Sequence, residues 1–456
     1  MRVLLCGAGS VGTNIAEYLG SEYTITLVDR NPAALALAAE KLDVQTVLGE
    51  SSDPETLKRA QTDRADIFIA VTDSNETNIV ASQMAHTVFG VKLKIARLSN
   101  FGRDNNGWTE VYKKEHLPVD IIISPEQEIT DEILKRLSVP FATSVLSFFE
   151  GQAMVISLKI APKSPLTLSP IKHLDTIFGP LNVLPIKVTR DKTSFIPQAH
   201  DVLEENDVVF FLVPSQNLSA FSKAAGYHGQ AIQRALILGG GDIGLLLATE
   251  IEKRFPHISC ILVETRNSKI KQLLGNLQNT IILRGDGLDP DILEEAGVKF
   301  MDTVITLTND DTINILGALL AKRLGAKRST TLVLRQSYLP LIHSLGIDNP
   351  INPSALMISK ILQHVRRTYV DAIYSLGSGI FDTILQISLP IDSPVAGETV
   401  ANIQNPKELI VLAVLKGADM HIDQENVTLE ADDALLVMCN KNNIHKIQSL
   451  FVSNSG

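Results

Sequence analysis

The sequence predicts an α/β protein in which a doubly wound parallel sheet occurs twice, each copy followed by a smaller, β-rich α/β domain. Three observations carry this expectation. Short apolar runs such as Val3-Leu4-Leu5-Cys6 and Ile67-Phe68-Ile69-Ala70-Val71 have the continuous Val/Ile/Leu character of strands covered on both faces by helices. A glycine-rich turn, Gly7-Ala8-Gly9-Ser10-Val11-Gly12, joins the first of these runs to a helical stretch, Thr13 to Leu19, as in a strand–turn–helix unit. The same order of features then returns in the second half of the chain.

The first copy can be followed in order. Ile25-Thr26-Leu27-Val28 is an apolar strand that ends on Asp29, with Arg30 next. Gly49-Glu50-Ser51-Ser52-Asp53-Pro54 comes after it. The run Ile67 to Val71 reads as a fourth parallel strand. Thr72-Asp73-Ser74-Asn75-Glu76-Thr77-Asn78 then occupies the strand C-terminus, where ligands bind in such sheets. Thr and Asn at this point also suit the cap of the following helix. Leu93-Lys94-Ile95-Ala96 closes on Arg97, and Ile121-Ile122-Ile123-Ser124-Pro125 introduces a helix from Glu126 to Leu137.

The second copy repeats these landmarks. Gly239-Gly240-Gly241-Asp242-Ile243-Gly244 stands for the first glycine turn, and Cys260-Ile261-Leu262-Val263 ends on Glu264. Gly285-Asp286-Gly287-Leu288-Asp289-Pro290 answers the Gly49 cluster. Thr308 answers Thr72, Asn314 answers Asn78 and Arg335 answers Arg97. Ile351-Asn352-Pro353-Ser354 leads into a second helix, Ala355 to Arg367, whose basic pair Arg366-Arg367 is expected on a solvated face, with a contact to lipid or partner as the alternative. Agreement at so many points in one order establishes a duplication. After each helix, short apolar runs alternate with Pro, Gly, Asn and Asp, as in a small β-rich domain. The expected domains are 1–124, a coupling helix 125–140, and 141–226, then 230–352, a coupling helix 353–371, and 372–456. The join falls near Gly226 to Gln230.

The glycine turns carry chemistry. Gly7 permits the tight turn, Gly9 lets the backbone approach a pyrophosphate, and Gly12 allows close packing of helix on strand. The anion then rests on unpaired N–H groups at the helix N-terminus. Asp29, at the end of the second strand, is placed to accept hydrogen bonds from both ribose hydroxyls and to repel a 2′-phosphate, so NAD(H) is expected over NADP(H). Arg30 beside it either softens that choice or points to solvent. The first cleft is thus assigned Gly7, Ala8, Gly9, Ser10, Val11, Gly12, Asp29, Arg30, Ser51, Ser52, Thr72, Asp73, Glu76, Asn78 and Arg97. The second is assigned Gly239, Gly241, Asp242, Ile243, Gly244, Glu264, Gly285, Asp286, Thr308 and Arg335. Asp242 brings a negative charge close to any phosphate there, which leaves a degenerate fold copy as the alternative. Arg97 and Arg335 are either phosphate contacts or partners in interdomain ion pairs.

Bulk properties narrow the function. A net charge of −10 argues against nucleic acid as partner, because phosphate neutralisation needs a basic face. No apolar run approaches the roughly 20 residues of a membrane span. The three cysteines lie far apart in apolar runs and read as buried hydrophobes in a reducing compartment. The competing enzyme reading is an NAD-dependent oxidoreductase, which needs a proton donor or acceptor beside the nicotinamide. The sequence offers no Tyr-x-x-x-Lys, no metal-spaced His/Cys cluster, and histidines scattered without a paired carboxylate motif. No catalytic or metal-binding residue is therefore assigned. A third reading is a cytoplasmic scaffold whose nucleotide folds are empty.

Together, Gly7-x-Gly9-x-x-Gly12, Asp29, Thr72-Asp73, Glu76-Thr77-Asn78 and Arg97 resemble the RCK/KTN domains that regulate potassium channels and transporters. The alternation of large and small domains over essentially the whole chain is similar to the tandem RCK/KTN regulatory subunits of bacterial Trk-type potassium systems. This resemblance implies Rossmann-type RCK N-terminal domains alternating with RCK C-terminal domains. It implies NAD(H) and, in some members, ATP or ADP as ligands. It further implies a cytoplasmic homotetrameric ring, peripheral at the inner face of the cell membrane, beneath a separate Trk-type potassium-conducting membrane subunit. Two positions depart from the family pattern. Ser99 stands where a second basic residue often follows Arg97, and Thr312-Ile313-Asn314 replaces Glu-x-Asn.

Overall fold

The structure, a computed structural model, describes residues 1–20, 23–99, 117–162, 164–167, 170–191, 193–227, 232–365, 370–376, 381–405, 407–440 and 443–451. Arg366 and Arg367, and most of the expected join between the copies, lie outside the described residues. Two compact units divide the chain: Met1–Leu134 with Ile232–Val365, and Lys135–Ala231 with Arg366–Gly456. Each unit therefore pools matching parts of both sequence copies.

In the first unit, each copy forms a six-stranded sheet of identical order. Arg2–Cys6 pairs in parallel with Thr24–Asp29 on one side and Ile67–Ala70 on the other. Gln45–Leu48 extends the sheet beyond Thr24–Asp29, and Leu93–Arg97 then Ile121–Ile123 extend it the other way. Successive strand residues point to opposite faces. Val3, Leu5, Leu27 and Ile69 thus enter one core with Ile15 and Leu19, while Leu4, Cys6, Val28 and Phe68 enter another with Ala81 and Ala85. Helices start where the sequence supplies caps. Asn31 accepts from the Ala33 and Ala34 N–H groups ahead of Pro32–Lys41, and Ser74 accepts from Thr77 ahead of Asn75–Thr87. Because the chain builds strands first on one side of Arg2–Cys6 and then on the other, a crevice opens at its C-terminal end.

Two long helices follow the sheets, Pro125–Ser138 and Pro353–Val365. Each reaches across to the other copy. Met357, Ile358, Ile361 and Val365 join the core of the first copy beside Ile15 and Leu19. Asp131 of the first helix lies 3.6 Å from Arg254 of the second copy. The two helices also approach each other, with Lys360 Nζ 3.9 Å from Glu128.

In the second unit, each copy forms a five-stranded antiparallel sheet. At their centres are Ala153–Lys159 paired with Val208–Pro214, and Thr383–Ser388 paired with Ala434–Cys439. One shared core holds Phe148, Val155 and Leu212 from the first sheet with Ile384, Leu436 and Met438 from the second. Polar bonds cross it too: the buried Lys187 donates to the Leu376 carbonyl at 3.1 Å, and the Phe149 N–H donates to Gln386 Oε1 at 2.8 Å. Cys6, Cys260 and Cys439 are unpaired and buried, and burial pushes each thiol up to about 12. Among the described residues no helix is long and apolar enough to cross a membrane.

Candidate nucleotide-binding sites

The first crevice is a cavity of about 330 Å³, within the size range of small-molecule sites. Its glycines divide the work. Gly7 turns with φ +111°, and a side chain there would meet the Val71 and Thr72 backbone at 3.0–3.1 Å. A Cβ on Gly12 would stand 1.9 Å from the Gly7 carbonyl oxygen, so this residue serves helix packing. A Cβ on Gly9 would meet nothing within 4 Å. That open face is the approach a phosphate needs, beside a helix Ser10–Leu19 whose N-terminus has no side-chain cap. Unpaired N–H groups and the helix dipole make such a terminus attractive to an anion.

Asp29 ties the second strand to the loop. Its Oδ2 accepts from the Ala8 N–H at 2.6 Å and its Oδ1 from the Asn31 N–H at 2.7 Å. A carboxylate has about four acceptor positions, so some remain for ribose hydroxyls. Arg30 reaches towards Asp73, at 3.8 Å, and both side chains are largely exposed. The wall is completed by Ser10, Val11, Ser51, Thr72, Asp73 and Arg97, with Asn31, Glu50 and Thr77 in addition. These residues fit an adenine dinucleotide: an open phosphate loop, an acid with acceptors to spare, and a cation at the far edge.

The second crevice is larger, about 560 Å³, and repeats the glycine geometry. Gly239 has φ +111°, a Cβ on Gly244 would lie 2.0 Å from the Gly239 oxygen, and Gly241 is open. The acid differs. Glu264 is 4 % exposed and accepts from the Gly240, Thr265 and Arg266 N–H groups and from Arg266 Nε and Nη2, all at 2.9–3.0 Å. Burial works to raise its pKa, but the hydrogen bonds and charge of Arg266 outweigh this and hold it at about 2. Asp242 is on the wall, but its charge is met by Lys269 Nζ at 3.1 Å. Ile243, Gly285, Asp286 and Thr308 also line the cavity.

Several expected contacts fall elsewhere. Arg335 is not on the second wall. Its backbone N–H is bound by Asp311, and its guanidinium lies over the Tyr338 ring in an adjoining depression, with Nη1 donating to the Tyr338 hydroxyl at 3.1 Å. Asn78 is buried away from the cavity. Its side chain accepts from Thr72 and donates to the Thr72 and Arg97 carbonyls, bracing two strand ends; Asn314 does the same for Thr308 and Leu332. Glu76 accepts from Ser74 Oγ in its own helix cap. Ala8, Ser52, Gly12 and Gly244 also lie off the cavity walls. The sequence reading missed Asn31, Arg266 and Lys269, all just after the strand-ending acid, where position alone was a signal. It also missed Glu126, which lines the second cavity from the first copy's linking helix, and no local pattern shows that. Among the described residues no His/Cys/Asp/Glu cluster is placed to hold a metal.

Comparison with known proteins agrees with this architecture. Residues 3–125 and 235–353 match the TrkA-N domain, and residues 155–226 and 384–452 match the TrkA-C domain. The Trk system potassium uptake protein TrkA of Azorhizobium caulinodans is 34 % identical over 452 residues, 99 % of this chain and 98 % of that protein. Those of Halomonas elongata and Vibrio alginolyticus are 32 % and 31 % identical with the same coverage. Among solved structures, the GsuK RCK domain matches with a TM-score of 0.60 at 16 % identity, over 99 % of this chain and 94 % of that one. The GsuK channel bound to NAD matches at 0.61 and 17 %, over 99 % and 78 %. These two likenesses speak to the fold. With both domain types in tandem and relatives aligned end to end, the chain belongs to the TrkA family of Trk potassium uptake proteins.

Proposed function

We propose that this chain is the nucleotide-sensing regulatory subunit of a Trk-type potassium uptake system, acting through ligand binding and not through catalysis. The observation that carries the reading is the pair of crevices, each with an open glycine over an uncapped helix N-terminus and an acid ending the second strand. NAD(H) is the ligand proposed for the first cleft, with ATP or ADP as further ligands of the pair. Four chains would form a ring at the cytoplasmic side of the membrane, docked on the potassium-conducting subunit. The domain boundaries set out above belong to the same proposal.

A bound nucleotide biases the equilibrium between two arrangements only by the difference in its affinity for them. Couplings of this kind shift a response by roughly 5–150-fold. The test is potassium flux through the reconstituted complex with NADH, NAD, ATP or ADP added in turn. Flux should respond to at least one of them, and the response to NADH should disappear in Gly9→Asp. Flux indifferent to all four would refute the proposal.

A further inference from the structure

We propose that the second cleft takes an adenine nucleotide carrying a phosphate on its ribose 2′ oxygen, while the first is confined to nucleotides whose 2′-hydroxyl is free. This rests on the reading of both clefts as nucleotide sites. The observation is a difference at one position. The helix after the strand-ending acid is capped in the first copy by Asn31, whose side chain accepts from Ala33 and Ala34. In the second copy the same position holds Arg266, which makes no side-chain cap and folds back on Glu264.

The consequence is local. Glu264 receives two donors from the guanidinium, three from backbone N–H groups and one from Thr265 Oγ1 at 3.3 Å. That exceeds the four acceptor positions of a carboxylate, so nothing remains to receive a ribose diol. The group presented to the ribose is instead the guanidinium, which lines the cavity together with Lys269. It has five N–H donors, of which the Nε and one Nη2 hydrogen serve Glu264. Forked guanidinium donors match a phosphate geometrically, and an arginine beside this strand end is how such folds accommodate a 2′-phosphate. In the first cleft Asp29 accepts only two backbone donors, and Arg30 is drawn to Asp73. A 2′-phosphate there would face a carboxylate that no guanidinium screens, and Arg30, although on the wall, is turned towards Asp73.

The experiment uses the full-length chain with one cleft blocked at a time, by Gly9→Asp or by Gly241→Asp. Each variant is titrated calorimetrically with adenosine 2′,5′-bisphosphate, 5′-AMP, NADH and NADPH. With the first cleft blocked, the bisphosphate should bind roughly tenfold tighter than AMP, and Arg266→Ala should erase that gain. With the second cleft blocked, the bisphosphate should bind at least about tenfold weaker than AMP. Should Arg266→Ala unfold by stranding Glu264, Asn31→Arg beside Gly241→Asp tests the same idea by transferring bisphosphate tolerance to the first cleft. Binding of AMP and NADH to Gly9→Asp without a bisphosphate preference overturns the proposal alone. Binding of none of the four overturns the nucleotide reading of that cleft as well.

Discussion

Gly9 and Gly12 stand three residues apart, one at the cap and one in the first turn of the same helix, yet substitution should break two different properties. At Gly12 a methyl group would sit 1.9 Å from the Gly7 oxygen and 3.0 Å from its carbonyl carbon. Ordinary contact needs about 3.5 Å, so helix and loop must part by about 1.5 Å. The loop has little room to retreat, because the Gly7 α-carbon already faces the Val71 backbone at close range and its φ of +111° excludes most alternatives. Overpacking of this kind costs about 1–3 kcal/mol, occasionally more. In a unit of about 270 residues each kcal/mol moves the melting temperature by about 2–4 °C, so Gly12→Ala should melt about 2–12 °C below the wild type. At Gly9 the added atom meets nothing. Gly9→Asp should therefore melt within about 1 °C of the wild type while losing NADH affinity at the first cleft by roughly tenfold or more, since its carboxylate occupies the phosphate approach. Scanning calorimetry paired with NADH titration separates the two effects. A Gly12→Ala protein as stable as wild type, or a Gly9→Asp protein with full NADH affinity at the first cleft, would refute the division of labour.

Other perturbations bear on the second cleft. Lys269→Ala should expose the Asp242 charge next to the phosphate approach and weaken NADH there by roughly 3–10-fold; equal affinity in a Gly9→Asp background would show that Asp242 does not face the ligand. Glu126→Gln removes a carboxylate from the same wall and should tighten anionic nucleotides a few-fold there while leaving the first cleft untouched, as read by titration of each blocked variant. Glu264 has a folded pKa of about 2 against an ordinary 4.5. A depressed carboxylate stabilises the fold fully above its unfolded pKa and loses that contribution as pH falls towards the folded one. Melting curves between pH 6 and pH 2.5 should thus show an acid-side loss of about 2–3 kcal/mol that Glu264→Gln lacks, and coincident acid limbs for the two proteins would contradict it.

How far the sequence reaches depends on the range of the interaction. The duplication, the parallel sheets and the glycine roles follow from neighbours in the chain. Gly7, Gly9 and Gly12 differ in their surroundings because a strand–turn–helix connection leaves one glycine strained, one open and one packed. The acids were placed by the same local order, but the sequence reading gave them to the ribose alone, and their hold on the amide of the second loop residue in each copy shows only in the structure. Arg335 was misplaced because equivalence by alignment fixes a backbone position only. Its side chain follows a 3₁₀ turn, Gln336–Tyr338, onto an aromatic ring. Asn78 carried a binding residue's pattern, but a buried amide that can both donate and accept is also the natural brace between two strand ends. Asp242 seemed to spoil the second loop, and Lys269, at the start of the next helix, changes that balance.

The exchange of linking helices is the feature that no local pattern carries, and it makes the two clefts unequal. Each helix is amphipathic, and its apolar stripe needs a partner that its own sheet, already covered by its own helices, does not supply. The second helix meets that need by packing Ile358 and Ile361 beside Ile15 and Leu19 of the first copy. The first helix turns towards the second copy, where Glu126 enters the cleft wall. Its counterpart by alignment is Ser354, which lines neither cleft. A charged ligand in the second cleft would therefore act directly on a residue at the start of a helix that the chain continues into the first β-rich domain. A ligand in the first cleft would meet no linking-helix residue on its wall and would act through the Ser10–Leu19 helix, on which the second linking helix rests. On the proposed reading the two sites would differ in mechanical connection as well as in ribose chemistry, and two copies of one motif would serve as two inputs.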